Sequence, residues 1–191
     1  MPNWCTTYIT INYDDEEKIK KLYEKLEKWT EKNYIENKFG PTWLGNIVLG
    51  SGIGTVDEDK GTDISCRGQL CYIDYYKNSI NIQTETAWVP MMNLWKKLVD
   101  KYLPDAEIWF TANEPGFNIH ITNEPELMNK WVCVTDTISE YEIDKNELID
   151  IMKEKTKSKL DNFDELLQEF RKRDDVYDVY QIQGVNLLNW L

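Results

Sequence analysis

Residues 79–104 read Ser79-Ile80-Asn81-Ile82-Gln83-Thr84-Glu85-Thr86-Ala87-Trp88-Val89-Pro90-Met91-Met92-Asn93-Leu94-Trp95-Lys96-Lys97-Leu98-Val99-Asp100-Lys101-Tyr102-Leu103-Pro104, and this stretch decides the fold. Ile80 and Ile82 alternate with Asn81, Gln83 and Glu85, the period of a strand with one buried face. Pro90 then suits the first turn of a helix, and Met91, Leu94, Trp95, Leu98, Val99 and Tyr102 recur at helical spacing until Pro104 stops it. Upstream, 68–76 reads as a partner strand with Cys71, Ile73 and Tyr75, and Lys77-Asn78 supplies a tight hairpin turn.

Working outward, residues 5–12 alternate, with Cys5, Thr7, Ile9 and Ile11 on one side and Thr6, Tyr8, Thr10 and Asn12 on the other. Asp14 or Asp15 caps a helix over 15–32 with Ile19, Leu22, Tyr23, Leu26 and Trp29 on one face. Residues 106–112 and 116–122 form a second hairpin around Asn113-Glu114-Pro115-Gly116, with Ile108, Phe110, Phe117, Ile119 and Ile121 inward. The order β, α, β, β, α, β with one extra strand predicts an α+β chain, a ferredoxin-like split βαβ sheet with two helices on one face, over 1–124. Gly40-Pro41 and the glycines at 45, 50, 52, 54 and 61 make 33–63 an insertion loop. Residues 125–191 read as an α-rich C-terminal extension packing on the first domain, with a strand at 130–137 and helices at 144–157 and 161–173. Val185 to Leu191 is apolar enough to need burial.

Charge and composition exclude several functions. With 22 Lys and Arg against 34 Asp and Glu, the net charge of -12 repels a phosphate backbone, so direct nucleic-acid binding is not expected. No apolar run reaches membrane-spanning length, and the opening lacks an export signal, so a cytoplasmic location is expected. The four cysteines, Cys5, Cys66, Cys71 and Cys133, fit neither a zinc pattern nor a disulfide framework, and read as free, mostly buried thiols. His120-Ile121-Thr122 resembles one half of a two-histidine phosphoesterase, but His120 is the only histidine. Gly50-Ser51-Gly52-Ile53-Gly54 imitates a dinucleotide fingerprint, yet Thr55 to Gly61 cannot open an amphipathic helix after it. Asp57, Asp59 and Asp63 lack calcium-loop spacing. No metal or other cofactor is expected.

A sheet covered on one face by helices leaves the other polar. Thr6, Tyr8, Thr10, Asn12, Asn81, Gln83, Glu85, Glu107, Trp109, Thr111, Asn118 and His120 are expected there. Tyr8 and Trp109 could stack bases, as in RNA-binding domains, but Glu85 and Glu107 oppose phosphate. The C-terminal segment, or a protein partner, is the expected occupant. Trp4, Trp88 and Glu114 either share a binding groove or close the core edge and form a turn.

Three stretches carry a resemblance: Met1-Pro2-Asn3-Trp4-Cys5; Glu85-Thr86-Ala87-Trp88-Val89-Pro90 leading to Tyr102-Leu103-Pro104; and Asn113-Glu114-Pro115-Gly116-Phe117. Over roughly residues 1–122 the chain resembles the YubB-like ferredoxin-fold family of phages, plasmids and integrated elements. The resemblance implies the fold and a mobile-element origin, and brings no catalytic residues. Ser65 to Cys71 departs from the Asn-Trp-Gly-Thr-Lys-Trp-like stretch often found in that family.

The function expected from these readings is non-enzymatic: an acidic binding protein acting by protein–protein contact, with a nucleic-acid mimic that blocks a host defence system as its specific form. The tentative binding residues are Trp4, Tyr8, Trp88, Glu85, Glu107, Trp109, Glu114 and His120. One alternative is a metal-dependent hydrolase using Asp57, Asp59, Glu85 and Glu107. The other is a structural homo-oligomer, such as a homodimer, joined through sheet edges or the tail.

Overall fold

A computed structural model describes residues 3–32, 35, 38–57 and 61–187. The tail from Leu188 on and Asp59 lie outside the described residues. The chain forms two compact units: described residues up to Ile119 with those from Val185 onward, and His120–Gly184.

In the larger unit, β1 (Trp4–Asn12) pairs antiparallel with both β5 (Ser79–Ala87) and β6 (Glu107–Glu114), and β4 (Gly68–Tyr76) pairs antiparallel with β5. The alternation read from the sequence is real: Cys5, Thr7, Ile9 and Ile11 are buried, as are Ile80, Ile82 and Thr84, and Ile108, Phe110 and Ala112. Burying these side chains drives the sheet against its helices.

Helix α1 (Glu16–Trp29) is capped by Asp15, whose carboxylate accepts from the Lys18 backbone N–H at 3.1 Å, and it buries Ile19, Leu22, Leu26 and Trp29. Its Tyr23 stacks on Tyr75 of β4, ring centroids 5.5 Å apart, and donates its hydroxyl to Glu27 Oε1 at 2.7 Å. That bond to a carboxylate raises the Tyr23 phenol from 10.0 to about 12. A tyrosine whose folded pKa lies above its unfolded one contributes stability that is complete below pH 10.0 and is lost as the pH rises through about 12. Absorbance titration at 295 nm should therefore show a late-ionising fraction, to which Tyr75, Tyr102, Tyr177 and Tyr180 also contribute, that shrinks by one phenol in Tyr23→Phe; an unchanged titration curve would count against the Tyr23–Glu27 bond.

The segment read as an insertion loop contains a helix, α2 (Leu44–Ser51), with Leu44, Ile47 and Val48 fully buried. Its glycines are packing sites. A Cβ at Gly45 would meet the Trp43 ring at 2.4 Å, and one at Gly50 the Trp29 ring at 2.3 Å. Asn46 donates to the carbonyls of Gly40 and Pro41, and Gly52 closes the helix at φ 62°. The two-residue strands β2 (Val56–Asp57) and β3 (Gly61–Thr62) follow. Helix α3 (Met92–Tyr102) buries Leu94, Trp95, Leu98 and Val99. Tyr102 packs on Trp29 and donates its hydroxyl to the Ser51 carbonyl at 3.1 Å, tying the three helices together.

The smaller unit has its own core. Strand β8 (Trp131–Thr135) pairs with β9 (Ser139–Ile143) and β10 (Val176–Gln181), with helices α4 (Lys145–Thr156) and α5 (Phe163–Arg171). Trp131, Cys133, Leu148, Met152, Leu166, Phe170 and Val179 form one buried cluster. Asn162 caps α5 by accepting from the N–H groups of Asp164 and Glu165. Strand β7 (Ile119–Thr122) pairs in parallel with β11 (Gln183–Gly184).

These strands overturn the ferredoxin-like split βαβ reading with two helices. One sheet has six strands, in the order β11-β7-β6-β1-β5-β4, and is mixed because β11 runs parallel to β7; among the described residues a three-stranded sheet, the two-stranded β2–β3 pair and five α-helices make up the rest of a multi-strand α+β fold. Glycines hid α2, while β9 is exposed along most of its length and β11 is two residues long, too little for a period to show. The turn after β6 differs as well. Pro115–Phe117 is a 3-10 turn with Phe117 59% exposed, where an inward side chain was expected.

Candidate functional site

The face of β4, β5, β1 and β6 that points away from the buried side chains carries aromatic and amide groups in aligned rows. Tyr72, Gln83, Tyr8 and Thr111 are register neighbours across the four strands, and Asp74, Asn81, Thr10 and Trp109 form the next row. Gln69, Glu85, Thr6 and Asn113 form the row on the other side. Four of the aromatic groups are open to solvent, Trp4 being 46% exposed, Tyr72 55%, Tyr8 57% and Tyr76 63%, while Trp109 is half-buried. The amides and hydroxyls between them are ordered by cross-strand bonds, Thr10 Oγ1 donating to Asn81 Oδ1 at 3.2 Å and Gln69 Nε2 to Glu85 Oε2 at 3.0 Å.

A bulge creates part of this surface. Register shifts between Leu70 and Tyr72, so Leu70 turns into the core and Cys71 is left exposed. Cys71 is thus the exposed one of the four free thiols, while Cys5, Cys66 and Cys133 are buried. Desolvation, with the Glu85 charge second, raises the Cys71 pKa, which keeps it a poor nucleophile at neutral pH.

Of the sequence-predicted site residues, Trp4, Tyr8, Glu85, Trp109 and Glu107 belong to these strands with the parity of the open face. Glu85 faces Thr6 and Glu107 faces Asn12, which puts the two acids at opposite ends of β1. The hydrolase reading needed them together with Asp57 and Asp59. Trp109 Nε1 donates to Glu107 Oε2 at 3.4 Å. Trp88 lies just past β5 with its backbone at φ 68°, unusual for an aromatic residue, and is pinned by its N–H to the Asn3 carbonyl at 2.9 Å. The Arg67 guanidinium sits 4.5 Å from the Trp88 ring centroid.

Two residues are not part of the open face. Glu114 is 2% exposed, and its carboxylate accepts from the N–H groups of Gly116 and Phe117, so it caps the 3-10 turn. His120 is 7% exposed in the smaller unit and stacks on Tyr180 at 3.6 Å with the rings 14° apart. The expected polar strand position fails there because β7 is buried on both sides of its pleat. Sequence reading missed Tyr72 and Tyr76; both follow from the alternation of β4 once the bulge is known.

Acids concentrate in the smaller unit, where residues 120–184 hold sixteen Asp and Glu against nine Lys and Arg. Glu124, Glu126, Glu142 and Lys130 line one hollow there, and burial, then the charges of Glu126 and Glu142, raise the Glu124 carboxyl. Among the described residues no group of three or more His, Cys, Asp or Glu is arranged to hold a metal ion. No helix among them is long and apolar enough to cross a membrane.

Fold and surface thus define an α+β protein of two units, the larger presenting an aromatic, acid-flanked sheet face. Comparison of the chain with protein-family models, curated proteins and solved structures finds no match.

Proposed function

We propose that the protein acts by contact, as a non-enzymatic cytoplasmic binding protein of a phage, plasmid or integrated element, and that the sheet face bearing Tyr8, Tyr72 and Tyr76 takes a protein partner. The observation that carries the reading is the solvent exposure of these rings, each above half, on a rigid four-stranded platform. Tyrosine and tryptophan anchor interfaces because they bury large area at small entropic cost. Asp74, Glu85 and Glu107 beside them fit a partner with basic residues at the rim of its contact patch and disfavour a phosphate backbone.

Photo-crosslinking tests this. A photoreactive phenylalanine analogue at position 8 or 72 should capture one discrete protein, and the same group at the helix position Glu24 should not. Tyr8→Ala should weaken the captured complex by roughly tenfold or more, the loss typical of a central aromatic anchor. Capture of nucleic acid instead, or identical products from positions 8 and 24, would contradict the proposal.

Polyanion mimicry is a second reading, favoured by the acid excess of residues 120–184. It requires crosslinks from α4 or α5 that disappear steeply as salt rises.

A further inference from the structure

Beside the end of the sheet face marked by Trp4, the chain from Phe39 to Trp43 and the residues leading into β4 form an open pocket of about 440 Å³ lined by Trp4, by Phe39 and Trp43, and by Cys66 to Gln69. We infer that this pocket binds a small ligand made of a planar aromatic ring bearing a carboxylate or phosphate, the ring held by the indoles and the anion by Arg67. The inference goes beyond the partner proposed above and does not depend on it.

Three observations carry it. First, the walls are aromatic: Phe39 and Trp43 pack with centroids 4.4 Å apart and planes 39° from parallel, and Trp4 and Phe39 are 46% and 51% exposed. A concave site of a few hundred Å³ with aromatic walls and few polar groups is the usual form of a small-molecule pocket. Second, the pocket holds a cation ready for an anion. Arg67 stacks on Trp88, and among the described residues no carboxylate lies in ion-pair distance of it. Arg67 is solvent-exposed, so its N–H fork is accessible to a ligand, and that fork matches carboxylate and phosphate geometry. The nearby carboxylate, Glu85, is instead engaged by the Gln69 amide. Third, the arginine is positioned by fixed backbone: Arg67 accepts from the Ala87 N–H at 2.8 Å, and the left-handed turn at Trp88 brings the indole beneath the guanidinium.

An aromatic cage also suits an alkylammonium ion, but Arg67 already lays a positive charge against Trp88 and would repel a second cation. Ligand charge therefore decides the matter.

The test titrates the full chain with indole-3-acetate and adenosine monophosphate, and with their uncharged or cationic counterparts adenosine and tryptamine, following the indole N–H resonances of Trp4 and Trp43. At least one anionic probe should shift both resonances saturably, and its counterpart should bind roughly tenfold more weakly or worse. Saturation by indole-3-acetate alone identifies an aryl carboxylate ligand, and by adenosine monophosphate alone a phosphate. Arg67→Ala should weaken binding at least about tenfold, Arg67→Lys less, because lysine keeps the charge without the fork. Tyr8→Ala should leave it unchanged, which separates this site from the partner surface. No saturable shift with either anion up to about 10 mM, tryptamine binding as tightly as indole-3-acetate, or an Arg67→Ala variant that retains full affinity while folded by circular dichroism would each overturn the inference.

Discussion

Phe170→Ala should destabilise the protein by about 3–5 kcal/mol, the usual cost of removing a fully buried phenylalanine. Phe170 has no exposed surface and belongs to the cluster with Trp131, Cys133, Leu148, Met152 and Leu166. The loss combines the transfer energy of the ring with the cavity it leaves. A compact unit of this size has little reserve, since whole domains are stable by only roughly 5–15 kcal/mol. Because that cluster lies entirely within residues 120–184, amide protection should fall first in α4, α5 and β8 while β1 and β5 keep theirs. Chemical denaturation and hydrogen exchange check this together. A loss below about 1 kcal/mol would show that the cluster is not a packed core, and equal loosening of β1 and β5 would show that the two units share one cooperative transition.

Gly68→Ala should cost about 1–3 kcal/mol or more, from overpacking at a point where the neighbour is backbone. A Cβ there would lie 2.3 Å from the Glu85 carbonyl oxygen and 2.8 Å from Thr86 Cα. Gly68 pairs with Thr86, and β5 is held on both sides by β4 and β1, so neither strand yields without breaking ladder bonds. In a chain of this length the melting temperature should fall by roughly 2–4 °C per kcal/mol. The phenol and indole signals of the open face should broaden as β4 separates from β5. An alanine variant melting together with the parent protein would mean that β4 does not approach β5 so closely.

Much of the larger unit was legible because burial writes a period into the chain. Cys5, Thr7, Ile9 and Ile11 against Thr6, Tyr8, Thr10 and Asn12 gave β1 and the identity of its open side; the stripes on α1 and α3 gave those helices. What failed has physical causes. Gly45 and Gly50 read as breakers, yet they sit inside α2 because the rings of Trp43, just before the helix, and of Trp29, on α1, occupy the space of a side chain, which the spacing of apolar residues does not show. The bulge at Cys71 shifts strand parity by one, and nothing local marks it. Glu114 reads as a surface acid, although a carboxylate followed by Pro115 and Gly116 has two backbone donors to satisfy. His120 shares the polar period of its strand, but Tyr180, sixty residues on, covers it. The pocket at Arg67 was invisible for a related reason: Phe39, Trp43 and Arg67 come from segments with no period, and only the fold brings them together.

The most direct test of the account is nitration of the intact chain by tetranitromethane, with each tyrosine followed by peptide mass spectrometry. Tyr8, Tyr72 and Tyr76 should react at rates approaching that of a free tyrosine peptide, and the half-buried Tyr102 and Tyr180 far more slowly. Protection of Tyr8 and Tyr72 in the isolated protein would mean that another part of the chain already covers the face, and the proposed contact surface would be contradicted.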